Sequence, residues 1–151
     1  MIAAVFRSIL VGTDGSETAG EAVGAAVELA KLSGATLEIV SAYEPVSNQR
    51  LREEARQVPP DVQWMVNRRA DVDATLADAA ERARDAGVAA QTYAREGDPA
   101  DAILDVAEEL GADLIVVGNK GMTGAKRFLL GSVPNRVSHH APCSVLIIRT
   151  T

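Results

Sequence analysis

Apolar residues along this chain follow two alternating rhythms. Short unbroken runs, Phe6 to Val11, Thr36 to Tyr43 and Asp113 to Val117, read as strands covered on both faces. Ser144 to Ile148 is another such run, and Val88 to Arg95 alternates enough for a more exposed strand. Between them apolar positions recur at helical spacing. From Glu17 these are Ala19, Val23, Ala26, Val27 and Ala30, with Gly34 placed as a stop. From Asp71 to Ala86 they are Val72, Leu76, Ala79, Ala80 and Ala83, ahead of Gly87. Asp98 and Pro99 suit the cap and first residue of a third helix, whose stripe is Ile103, Val106, Ala107 and Leu110, up to Gly111. Ser132 is expected to cap a short last helix that stops before Pro142.

The order is β-α-β-(loop)-α-β-α-β-α-β, which implies α/β architecture: a parallel sheet, doubly wound, with helices on both faces and right-handed crossovers. A length of 151 residues fits one domain, 1–151. The exception to the pattern is about 44–70, with Pro45, Pro59, Pro60, many charges and Trp64. It reads as a variable insertion, a loop with room for a short helix over Arg50–Gln57. Neither side of it is long enough to hold a core of its own.

Composition narrows the partners. With 47% hydrophobic and 24% charged residues the chain can bury a core and stay soluble, and with 3% aromatics that core is aliphatic. The net charge of −6 argues against nucleic acid or an anionic membrane as partner. A lone cysteine, Cys143, excludes an intrachain disulfide and suits a reducing compartment. No run reaches membrane-spanning length, and the apolar start lacks a basic leader. The expectation is a cytoplasmic protein.

Against that acidic background Gly118 to Ser132, GNKGMTGAKRFLLGS, stands out: four glycines and three cations, Lys120, Lys126 and Arg127, between a strand and a helix. In open parallel sheets ligands bind beyond the carboxyl ends of the strands, where strand order reverses. Gly12-Thr13-Asp14-Gly15-Ser16 leaves another strand at that same end. Glycines let backbone N–H groups close on a phosphate, and the following helix adds unpaired N–H groups and a partial positive charge. The spacing is neither a Walker A loop nor G-x-G-x-x-G. It is Gly118-x2-Gly121, nine residues, then Gly131-Ser132.

That spacing resembles the signature of the universal stress protein family in its nucleotide-binding branch, G-x2-G-x9-G-(S/T). The opening Ile9-Leu-Val-Gly-Thr-Asp14 and the closing Ala141-Pro142-Cys143-Ser-Val-Leu-Ile-Ile148 extend the resemblance over nearly the whole chain, apart from the insertion. It implies a five-stranded parallel sheet of order 3-2-1-4-5 that binds ATP or a related adenine nucleotide. Asp14 would face the ribose or a magnesium ion carried by the phosphates. Gly12 and Thr13 stand beside it, and the backbone around Ala42 would read the adenine edge. Val117, Gly118, Asn119, Lys120 and Gly121, with Gly131, Ser132 and Val133, would wrap ribose and phosphates, and Arg127 is a candidate phosphate partner. Val11-Gly-Thr-Asp-Gly-Ser16, Ser41-Ala-Tyr43 and Leu130-Gly-Ser-Val-Pro134 are similar to an actinobacterial subgroup implicated in cyclic AMP binding. The loop cations lean towards ATP, with cyclic AMP or AMP as alternatives.

Plainer roles stand beside these. Asp14 also suits a turn, Gly15 and Gly124 a purely conformational part, and Lys126 and Arg127 solvation. Adjacent helical residues point about 100° apart, so His139-His140 suits a helix end better than a metal. Cys143 reads as a small core residue, and no general base stands out, so any ATP hydrolysis is expected to be slow. In the implied order the last strand is an apolar edge, which predicts a homodimer paired antiparallel along Ser144 to Arg149. The resulting expectation is a stress-responsive, adenine-nucleotide-binding regulator. Its rival is a protein-interaction module that binds no nucleotide.

Overall fold

The structure, a computed structural model, describes residues 5–43, 69–119 and 131–150. In chain order its elements are β1 (Ser8–Gly12), α1 (Glu17–Ser33), β2 (Thr36–Tyr43), α2 (Arg69–Asp85), β3 (Ala90–Glu96), α3 (Pro99–Leu110), β4 (Leu114–Gly118), α4 (Ser132–His140) and β5 (Ser144–Ile148). The strands form one sheet of order β3-β2-β1-β4-β5, with every neighbouring pair parallel. The three most apolar runs are its three central strands, as burial on both faces requires.

Strand alternation divides the core in two. Ile9, Val11, Leu37, Ile39 and Val116 pack with Val23, Ala26 and Val27 of α1 and Val72 and Leu76 of α2. On the other face Leu10, Val40, Ile115 and Val117 pack with Ile103 and Val106 of α3 and Val137 of α4. Most helical core residues are alanine or valine, so the helices lie close to the sheet and to each other. One such contact is between α1 and α2. Arg82 on α2 donates to the Gly20 carbonyl at 2.9 Å, and its guanidinium lies where a Cβ on Gly24 would be 2.8 Å from Nη2. Gly24 thus makes room for the arginine, and Gly20 offers it a carbonyl.

Several boundaries move. β1 runs from Ser8 to Gly12 and β4 from Leu114 to Gly118, because Asp113 is not a ladder residue: its carboxylate accepts the Arg7 and Ser8 N–H groups at 2.9 and 3.1 Å. β3 is likewise displaced, to Ala90–Glu96. α2 starts at Arg69, so the expected loop at 44–70 ends there; its remainder, with the helix at 50–57 and Trp64, lies outside the described residues. The cap of α4 is Gly131, not Ser132: the Gly131 carbonyl accepts the first helical bond, from Asn135 N–H at 3.0 Å, and no side chain among the described residues caps this end. Capping of α3 by Asp98, with Pro99 following, agrees with the sequence.

Candidate functional site

β1 and β4 are neighbours, and each has a helix crossover running to the opposite side of the sheet. Past their carboxyl ends the two exit segments separate and leave an open cleft. Gly12, Thr13 and Asp14 form one wall, Val117 and Gly118 another, and Val133 and Pro134 of α4 a third. A second, smaller cavity, lined by Val40, Ser41 and Ala42, adjoins it through Gly12, Thr13 and Ile103. Of the residues singled out in the sequence, Lys120, Gly121, Lys126 and Arg127 lie outside the described residues. So does Gly124, whereas Gly12, Thr13, Asp14, Ala42, Val117, Gly118, Asn119, Gly131, Ser132 and Val133 converge on this end of the sheet.

Two helix N-termini meet at the cleft, and they differ. In α1, Ser16 caps its own helix by accepting the Ala19 N–H at 3.2 Å, and Asp14 Oδ1 accepts the Ser16 N–H at 2.9 Å. Asp14 therefore shapes the turn and also stands in the cleft wall. In α4 the first-turn N–H groups of Ser132 and Val133 have no helical acceptor and, among the described residues, no capping side chain, and Pro134 has no N–H to satisfy. Among the described residues this end is the bare one, and it carries the partial positive charge of the helix dipole.

Packing decides which glycines the fold itself demands. A Cβ on Gly12 would lie 2.5 Å from Ile103 Cδ1, and Gly15, at φ +82°, faces Thr75 Oγ1 at 2.6 Å. Among the described residues a Cβ on Gly118 would meet only Thr150 Cγ2, at an ordinary 3.5 Å. Among the described residues, then, no backbone crowds Gly118, and the Thr150 methyl lies in ordinary contact with it. The β1–β2 ladder also ends early: its last bond runs from Thr13 N–H to the Val40 carbonyl at 3.0 Å. Ladder alternation turns Ala42 to the same side, beyond that bond, so its backbone edge faces the smaller cavity. The nearby Ser41 hydroxyl is buried and has no hydrogen-bond partner among the described residues.

Asn119 is tied into the fold at this end of the sheet. Its side-chain oxygen accepts the N–H and hydroxyl of Thr150 at 2.8 and 3.0 Å, and its carbonyl accepts the Gly131 N–H at 2.9 Å. Thr150, Ile103, Pro134 and Thr18 line the cleft although nothing singled them out in the sequence. Counting past the β4–β5 register, which ends at Gly118↔Ile148, was the available signal for Thr150. Ile103 offered none beyond its place in a helical stripe. His139 and His140 are exposed in the last turn of α4, and no group of three metal-ligating side chains exists among the described residues. Cys143 is half-buried against the α3–α4 face, where burial and, to a lesser degree, the Asp113 carboxylate raise its pKa.

Comparison with known proteins agrees with this architecture. Residues 6–149 match the model of the "Universal stress protein family". Universal stress protein Rv1636 of Mycobacterium tuberculosis is 40% identical over 147 residues, which are 97% of this chain and 98% of that protein. A crystal structure of a universal stress protein in complex with cAMP is 33% identical with TM-score 0.70, covering 97% of this chain and 98% of that one. The structure of protein MJ0577, 23% identical, shares the fold at TM-score 0.75 over 95% and 96% of the two chains.

Proposed function

We propose, since the chain belongs to the universal stress protein family, that it binds an adenine nucleotide in the β1–β4 cleft and acts as a stress-responsive regulator. The observation that carries this reading is the N-terminus of α4, uncapped among the described residues, which shares the cleft with Gly118. The Ser132 and Val133 N–H groups there would hold a phosphate oxygen. Asp14 would take the ribose hydroxyls, and the free backbone edge at Ala42 would pair with the adenine. G-x2-G-x9-G-S, with Lys120, Gly121 and Arg127, supplies the rest of the phosphate loop and favours ATP.

Magnesium fits as a passenger. Such an ion typically takes one or two protein carboxylates together with substrate phosphates. Asp14 offers one carboxylate, whose Oδ1 already holds the Ser16 N–H.

Cyclic AMP is the second reading. It is favoured by the likeness to a universal stress protein crystallised with cAMP. It is favoured too by the described lining of the cleft, where Asp14 is the one charged residue. A single phosphate charge tolerates that carboxylate better than three or four do.

Thermal melting with ATP, ADP, AMP and cyclic AMP, each with and without magnesium, tests the proposal. A ligand at 100 times its Kd stabilises by ~2.7 kcal/mol, a shift on the order of 5–10 °C for a domain this size. Asp14→Ala should remain folded and lose most of the shift. No shift with any of the four at millimolar concentration would leave the interaction module. The same protein is proposed to form a cytoplasmic homodimer along β5, an edge strand with Leu146 exposed. Sedimentation should show a dimer in the wild type and a monomer in Leu146→Asp, and a monomeric wild type would end that part of the reading.

A further inference from the structure

Asn119 joins three stretches of chain that are far apart in sequence. Its N–H donates to the Ile148 carbonyl at 2.9 Å, continuing the β4–β5 ladder by one residue. Its carbonyl accepts the Gly131 N–H at 2.9 Å, directly before the first residue of α4. Its side-chain oxygen uses both lone pairs on Thr150, taking the N–H at 2.8 Å and the hydroxyl at 3.0 Å. The residue therefore spends its backbone groups and its one side-chain acceptor inside the protein. Only its NH2 group remains uncommitted among these contacts.

The double acceptance also places Thr150. With its hydroxyl turned to Asn119, its methyl lies near Gly118, 3.5 Å from where a Cβ would be, and the residue lines the cleft. We infer that Asn119 is a positioning residue and not a ligand-contacting one. Through Thr150 it makes the segment after β5 a wall of the cleft, and through Gly131 it holds the bare end of α4 opposite that wall. Ligand affinity then depends on Thr150, a residue outside the glycine motif. This inference rests on the nucleotide reading.

The test measures ATP and cyclic AMP affinity by calorimetry on the full chain, with urea midpoints of the free proteins measured alongside. Asn119→Leu removes both side-chain bonds at similar volume and is expected to weaken the preferred nucleotide roughly tenfold or more. Thr150→Val keeps the shape, loses only the hydroxyl bond, and is expected to weaken it roughly threefold with the urea midpoint of the free protein unchanged. Thr150→Ser keeps both donors and should bind like the wild type. If Asn119→Leu does not fold, the Val and Ser pair at Thr150 decides. Wild-type affinity in Thr150→Val, or equal weakening in Val and Ser, overturns the positioning role while leaving the nucleotide reading intact. A wild type that binds neither nucleotide overturns both.

Discussion

A methyl group placed on Gly12 probes the geometry of the cleft directly. The added Cβ would sit 2.5 Å from Ile103 Cδ1 and 3.0 Å from Cγ1, where carbons in contact prefer about 3.5–4.0 Å. Ile103 is 3% exposed and packs among Leu10, Val40 and Val117. In an interior of crystal-like density it has little room to retreat except towards the two cavities it lines. Overpacking of this kind costs ~1–3 kcal/mol. For a domain of this size that lowers Tm by about 2–4 °C per kcal/mol. Ile103→Val alone removes Cδ1 at a cost of ~0.5–1.5 kcal/mol. In the double variant the 2.5 Å contact disappears and only the 3.0 Å one remains. The two changes should then cost less together than their sum by ~1 kcal/mol or more. Urea unfolding with an unchanged m value measures the cycle. Nucleotide titration of the same set should show affinity falling in Gly12→Ala and recovering in the double variant. Costs that add to within ~0.3–0.5 kcal/mol would refute the argument that Gly12 is held by Ile103.

Two further expectations follow from the packing and the titrations. Gly20 and Gly24 lie on one face of α1 but should respond differently to alanine: at Gly20 the Cβ meets Arg82 at an ordinary 3.6 Å, at Gly24 at 2.8 Å. Gly20→Ala should gain ~0.5–1 kcal/mol from helix propensity, whereas Gly24→Ala, by displacing the guanidinium, should gain nothing; equal gains in thermal melts would contradict this account. Cys143, its pKa raised by burial and by Asp113, should stay a protonated thiol above the ordinary thiol range. Its alkylation by iodoacetamide should therefore lag a small-thiol control between about pH 7 and 9 and still be climbing above that, and a plateau at or below the control's would show the burial to be unimportant.

What could be read without coordinates was whatever a local pattern encodes. Aliphatic runs marked the strands, and β2 and β5 have the very boundaries expected, Thr36–Tyr43 and Ser144–Ile148. Ser16, Asp98, Gly34 and Gly111 act as caps because capping depends on a few neighbouring residues. Alternation of strand and helix implied the parallel sheet, and the spacing of Gly118, Gly121, Gly131 and Ser132 pointed to its carboxyl end. What remained hidden depends on residues distant in sequence. Asp113 belongs to the start of β1 rather than to β4 because its carboxylate reaches Arg7 and Ser8 across more than a hundred residues. Gly131 rather than Ser132 caps α4, and its N–H is taken by Asn119, twelve positions earlier. Ile103 and Thr150 enter the cleft because helix packing and strand register bring them there, and Gly24 is explained only by an arginine on another helix. Periodicity records which face of an element is buried; it does not record what that face meets, and in this protein the walls of the cleft are made of such meetings.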